Sequence, residues 1–226
     1  GYTTAGITAA TPFSNVIQRF TFASAGNQTD HGDMVVGVYG PGSASSQTQG
    51  FSAGGYNAPT RRTRIEKFTF ATNSGSTSHG DLNQGLAHWC GCSSSTDGFM
   101  SGGYAPSTTS IDRFAFSSNT TGADHASLSL ARQNGSVGQN SSTDGFNAGG
   151  NSDPGAGTRR TVIDKFSFAT TNTSATHGDL TTARTGASSL STTTDGYSLS
   201  GSTVPSNTFT GTTNAEKFSF ASNTTA

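Results

Sequence analysis

The chain has 226 residues, with apolar residues at 30%, charged residues at only 11% and a formal net charge of −1. That balance gives no electrostatic reason to bind nucleic acid or an anionic membrane, and the longest apolar run, "MVVGVYG", is too short to span a bilayer. Ser and Thr supply 71 residues and Gly another 30, but 15 regularly placed Phe set the chain apart from a disordered one.

In chain order, Gly1-Tyr2 opens a short strand that stops at Ala5-Gly6, and a second strand carries Phe20 and Phe22. "DHGDM" (30–34) follows. The same words return from Gly50-Phe51, through Gly54-Gly55, "IEKFTF" (65–70), "SHGDL" (78–82) and "WCGCSSSTD" (89–97). They return again from Gly98-Phe99, through Gly102-Gly103, "IDRFAF" (111–116) and the worn copy "DHASL" (124–128). A fourth round runs from Gly145-Phe146 through Gly149-Gly150, "IDKFSF" (163–168), "THGDL" (176–180) and "ASSLSTTTD" (187–195). The fifth runs from Gly196-Tyr197 through Ser200-Gly201 to Phe218 and Phe220. Successive F-x-F pairs stand 48, 46, 52 and 52 residues apart, and 13 of the 15 Phe occupy registered positions, which chance does not produce.

Each unit reads as four short strands. With a period of two, Asp112, Phe114 and Phe116 share one face while Ile111, Arg113 and Ala115 share the other. Both faces carry apolar weight, as in a sheet covered on both sides. Four antiparallel strands per unit of about fifty residues, stacked face to face, predict an all-β fold: a β-propeller of about five kelch-like repeats of 46–52 residues. The expectation is one repeat domain over 1–226, with units starting near 1, 50, 98, 145 and 196 and incomplete at both ends. Five Gly-aromatic to F-x-F halves accompany only four HGDL halves, so either a five-bladed ring is closed with a gap or the units belong to a longer array.

The glycine pair after a strand, "I-acid-base-F-x-F", a Ser/Thr/Asn loop, and Arg132 or Arg184 before a small-residue strand together resemble the kelch repeat. The usual kelch tryptophan is missing, and Trp89 sits in a different strand. The wording "KFSFAT…HGDLTTAR…STTTDGYSLSG" looks like the Ser/Thr/Gly-rich kelch-type repeats of marine bacteriophage structural and tail-associated proteins. That resemblance implies a virion-surface or extracellular protein without enzymatic activity.

Length variation concentrates in one loop per unit, between the glycine pair and the next F-x-F strand, with 10, 9, 7, 12 and 13 residues. In a propeller these loops emerge on one face, and variable loops on a rigid scaffold are the usual arrangement for recognition. Candidate ligand-binding residues in them are Tyr56, Arg61 and Arg62 (loop 56–64), Tyr104 (104–110), and Asn151, Asp153, Arg159 and Arg160 (151–162). Tyrosines there can stack on sugar rings, and arginines can hold carboxylates or sulfates.

Elsewhere the chemistry reads as scaffold. The recurring acid–base pairs Glu66-Lys67, Asp112-Arg113, Asp164-Lys165 and Glu216-Lys217 are expected to tie blade to blade or to edge each blade. Cys90 and Cys92, spaced C-x-C, read as small buried residues of an inner strand, too close for an unstrained bridge. The HGD tract reads as the turn that starts each blade's last strand, because equivalent points on neighbouring blades are about 10 Å apart and their histidines cannot share one metal ion. There is no phosphate loop, G-x-S-x-G elbow or H-E-x-x-H motif. No enzyme, cofactor or metal is therefore expected. The function expected is a virion-surface or extracellular structural or decorating module that contacts receptors, other copies of itself or assembly proteins, without nucleic-acid binding or membrane insertion. The alternative is a carbohydrate-binding lectin using the variable loops.

Overall fold

The computed structural model describes residues 1–6, 13–104, 106–134, 136–152, 158–204 and 211–223. All regular structure in them is strand, arranged as a five-bladed β-propeller of antiparallel sheets. Blade 1 holds β1 (Tyr2–Thr4), β2 (Val16–Arg19) and β3 (Thr29–Asp33). Blade 2 holds β4 (Gly42–Ser45) and β5 (Gln49–Ala53), then a two-stranded ribbon β6 (Tyr56–Asn57) and β7 (Thr60–Arg61), then β8 (Arg64–Thr69) and β9 (Thr77–Asp81). Blade 3 is β10 (Cys90–Ser93), β11 (Asp97–Ser101), β12 (Thr108–Ala115) and β13 (Ala123–Arg132); blade 4 is β14 (Ser136–Asn140), β15 (Asp144–Ala148), β16 (Arg160–Ser167) and β17 (Ala175–Arg184). Blade 5 is β18 (Ser188–Ser191), β19 (Asp195–Leu199) and β20 (Ala215–Ser219). The first strands of successive blades, β4, β10, β14 and β18, pack side by side around the axis.

The repeated residues each have a steric reason. In the β5–β8 ladder Gly50 lies opposite Phe68, and a methyl group on Gly50 would come within 2.4 Å of the ring. Gly98, Gly145 and Gly196 stand in the same relation to Phe114, Phe166 and Phe218. The first Phe of each F-x-F thus lies over a bare backbone, a cross-strand pairing of aromatic and glycine. The second Phe reaches the preceding blade: Phe70, Phe116, Phe168 and Phe220 stack on Tyr2, Phe51, Phe99 and Phe146 at 4.5–4.7 Å between centroids. Phe22, on blade 1, has its one ring contact among the described residues with Phe20 and is 87% exposed. The glycine pairs take left-handed backbone at both positions, as at Gly54 (φ 69) and Gly55 (φ 97), and the variants Ala5 (φ 64) and Ser200 (φ 58) keep that conformation despite their side chains. Hydroxyls close the turns after the first strands: Ser46, Ser94, Ser141 and Thr192 each accept the N–H groups two and three residues on.

The HGD tract is not the turn that its sequence suggests. It lies inside the outermost strand, and His31, His79, His125 and His177 are in every case the extra residue of a β-bulge. A bulge re-aims its side chain. Here it buries the imidazole against the next blade, where Nε2 donates to the carbonyl of Thr69, Ala115, Ser167 or Ser219 at 2.7–2.8 Å. A carbonyl only accepts, so Nε2 carries the proton. Each ring also stands edge-on to an aromatic of its own blade, as His79 does to Phe51 at 5.0 Å. The glycine that follows sits against the neighbouring backbone, and at Gly80 a Cβ would lie 2.5 Å from the Thr120 oxygen.

The acids that precede each F-x-F reach across the same boundary. Glu66, Asp112, Asp164 and Glu216 accept the backbone N–H of Val35, Asn83, Ser129 and Thr181, always the residue four after the bulged histidine. At the last two blade boundaries a fully buried arginine completes the lock. Arg132 donates to Asp164 (2.7 Å) and to the Gly149 and Val162 carbonyls (3.0 Å each), and Arg184 bridges Glu216, Ser200 and Asn214 in the same manner. Val38 and Leu86 fill the corresponding places in the first two blades. Arg113, Lys165 and Lys217 point the other way, across their own ladders at the surface, as in Arg113–Asp97 (3.0 Å) and Lys165–Asp144 (3.3 Å), while Lys67 donates to Asn119 of the next blade (3.3 Å). Acid and base, adjacent in sequence, have separate partners. Cys90 and Cys92 are both buried on β10 with no disulfide between them, and burial pushes the Cys92 thiol up.

Candidate aromatic site on the variable-loop face

Two kinds of segment emerge on one end of the propeller: the variable loop within each blade, and the connection from the outermost strand to the next blade's first strand. Isolated bridges tie them together in pairs at Tyr39–Tyr56, Ala87–Tyr104, Gln133–Asn151 and Thr185–Ser202. The same backbone contact therefore recurs four times with different side chains. It carries tyrosine where blades 2 and 3 meet, and amides or hydroxyls farther round.

Around the two tyrosine-bearing pairs the loops enclose a cleft of about 460 Å³, within the range of small-ligand sites. Its walls are Phe13, Tyr39, Tyr56, His88 and Tyr104, with Arg61 between them. The Arg61 guanidinium carbon lies 5.5 Å from the Tyr56 ring centre and 5.2 Å from that of Tyr104, so one cation is held between two aromatic faces from neighbouring blades. Phe13 meets Tyr56 edge-on at 5.8 Å, and Tyr39 meets His88 edge-on at 4.9 Å. Burial and the adjacent Arg61 charge lower the His88 pKa, so its imidazole is neutral at neutral pH. Arg61 Nε is buried without a hydrogen-bond partner, and among the described residues no carboxylate forms an ion pair with this guanidinium.

Of the residues singled out in the sequence, Tyr56, Arg61 and Tyr104 converge here. Arg62 lines a separate cavity of about 300 Å³, near Glu66 and Asp81. Asn151 is buried in the bridge to Gln133, and Arg159 donates from Nε to the Ser202 carbonyl (3.1 Å), which ties it to blade 5. Arg160 opens β16 opposite Arg184. Asp153 lies outside the described residues. Sequence reasoning missed Phe13, Tyr39 and His88 as partners of the tyrosines. A usable signal existed: Tyr39 and Ala87 both stand eight residues after a bulged histidine, which places each beside the next blade's variable loop.

At the opposite end, a wider concavity of about 930 Å³ surrounds the axis, lined by small polar residues such as Ser43, Ser93 and Ser141. Tyr2, Phe51, Phe68 and Phe70 also line it, but among the described residues no lysine or arginine does, whereas the cleft holds Arg61. Among the described residues no group of three or more His, Cys, Asp or Glu is placed to hold a metal ion. No protein-family model matches the chain, and no curated protein matches it.

Proposed function

We propose that this protein is a non-enzymatic recognition propeller that binds carbohydrate in the aromatic cleft, in an extracellular or virion-surface setting. The observation that carries the reading is the loss of equivalence among equivalent positions. One backbone bridge is built four times, yet among the described residues tyrosines and a sandwiched cation gather only where blades 2 and 3 meet. Packing alone does not ask for this, since Gln133–Asn151 and Thr185–Ser202 make the same bridge without rings. Tyrosine faces supply flat apolar surface for a pyranose, and their hydroxyls supply hydrogen bonds at the rim. The setting is supported by the low charge, the Ser/Thr/Gly-rich composition and the resemblance to kelch-type repeats of bacteriophage structural proteins. A multivalent glycan array tests the reading. Binding should appear for a restricted glycan class and weaken at least about tenfold in Tyr56→Ala and Tyr104→Ala, a loss equal to about 1.4 kcal/mol. An empty array at high valency would overturn it.

A role in assembly is favoured by one further observation. Phe22 is 87% exposed, whereas its four counterparts stack on the preceding blade. Such a ring on an open blade side is suited to contact with another protein surface, including a second copy of this chain. Sedimentation of the wild type should show concentration-dependent association that Phe22→Ser abolishes; identical monomeric profiles for both would remove this role.

A further inference from the structure

We infer that the cleft takes an acidic saccharide, with Arg61 gripping its carboxylate and His88 contacting the sugar. This deepens the carbohydrate reading and rests on it. Arg61 is set up to receive an anion. Its guanidinium is held between Tyr56 and Tyr104, its Nε is buried without a partner, and no carboxylate of the described residues pairs with it. Arg132 and Arg184, which are fully buried, are each matched to an acid and to backbone carbonyls; Arg62 and Arg160 also have a buried Nε without a partner, but among the described residues only the Arg61 guanidinium stands between two rings. A planar fork fixed by two rings is pre-organised for the two oxygens of a carboxylate, and a neutral sugar would leave its charge unanswered.

His88 has an unusual backbone for its place in the fold. Each connection into a new blade has a left-handed residue at the same place: Gly40 (φ 63), His88 (φ 57), Asn134 (φ 46) and Gly186 (φ 63). Glycine takes this conformation without strain, while asparagine and histidine are among the few other residues that enter it, at some cost. The bend itself is satisfied by glycine in two of the four copies, so the imidazole is not needed to make it. It stands instead over the cleft beside Tyr39 and Tyr104, at 4.9 and 6.0 Å between ring centres. An imidazole kept at a bend that glycine makes in two copies, with its ring turned to the cleft, points to a contact with the ligand.

The test uses uronate-bearing oligosaccharides paired with their carboxyl-reduced forms, titrated against the full chain by calorimetry. Wild type should bind members of the acidic set, and carboxyl reduction or Arg61→Met should each weaken binding at least tenfold. Arg61→Lys, which keeps the charge without the fork, should recover only part of the loss. His88→Gly should weaken binding about tenfold while the thermal midpoint stays the same or rises. Equal binding of acidic and reduced partners would overturn the inference and leave carbohydrate recognition standing; no binding to either set, nor to any neutral glycan, would remove both. A lowered thermal midpoint with unchanged affinity in His88→Gly would make that residue structural and overturn its part.

Discussion

Asp112 offers the sharpest test of how the blades are locked. It is fully buried on β12, and its Oδ2 accepts the Asn83 N–H at 2.9 Å while Oδ1 has no partner. Its equivalents in blades 4 and 5 have Arg132 and Arg184; here the corresponding place holds Leu86. Burial accordingly pushes the Asp112 carboxyl from an ordinary 3.8 up to about 6, opposed only in part by backbone N–H donors. The difference is worth about 3 kcal/mol at about 1.36 kcal/mol per pH unit. Because the folded pKa lies above the unfolded one, the folded state keeps a proton that the unfolded chain has already released. Stability is therefore highest below about pH 4, falls as pH rises to about 6, and stays lower above it. Asp112→Asn cannot ionise and still accepts from Asn83, so it should stabilise the protein at pH 7 by about 2 kcal/mol, after about 1 kcal/mol is allowed for an unpaired amide. Urea unfolding followed by Trp89, the chain's one tryptophan and a buried one, reads this out. Plotted against pH, the variant's advantage should be near zero at pH 4 and grow until about pH 6. A variant less stable at pH 7, or an advantage independent of pH, would refute the reasoning.

Three further outcomes follow from the same geometry. Arg132→Leu recreates the blade 2–3 arrangement at the next boundary and strands Asp164 in the interior, so unfolding free energy should drop by about 3–5 kcal/mol; Lys217→Ala, which breaks a 3.8 Å pair at the surface, should change it by less than about 0.5 kcal/mol, and equal effects would contradict the lock. Ser200→Gly relieves a left-handed serine at a place where three blades already have glycine, and should raise stability by about 0.5–1 kcal/mol in the same urea titration. His79→Phe fills the ring's space but leaves the Ala115 carbonyl without its donor, so it should cost about 1–3 kcal/mol; retention of full stability would mean that the inter-blade hydrogen bond contributes nothing.

The parts of this fold that were legible from sequence are those whose cause is local. A glycine facing an aromatic across a ladder, an alternating F-x-F strand and a glycine pair at a turn all write their geometry within about twenty residues. The repeat multiplies that signal five times. The bulged histidine was legible as a recurring word but not as a contact, because its acceptor lies on the next blade, 36 residues on for His79 and 42 for His125. Arg132 and Arg184 were visible only as part of a kelch-like pattern. Their role depends on an acid 32 residues later in chain and adjacent in space. Loop-length variation led to Tyr56, Arg61 and Tyr104, but it also led to Arg159 and Arg160, which serve blades 4 and 5. Tyr39 and His88 escaped because they sit in connections of nearly constant length, where length carries no information.

A propeller of repeats nevertheless holds its own internal comparison. Once the bulged histidines set the register, every position has three or four structural equivalents built by the same backbone under the same demands. Where those equivalents agree, as at the stacked Phe or the acid that meets the backbone N–H four residues after the histidine, the demand is set by the scaffold. Where one departs at a structural cost, another cause is needed. Leu86 opposite Asp112 departs at a cost of buried charge, and it lies in the core cluster with Trp89, so packing has displaced the arginine there. His88 departs from the glycine that serves two of its equivalents, at some backbone cost, and packs no such core; its ring faces two tyrosines and the open cleft. The two exceptions are thus of opposite kinds: one answers to the interior and one to whatever enters the cleft.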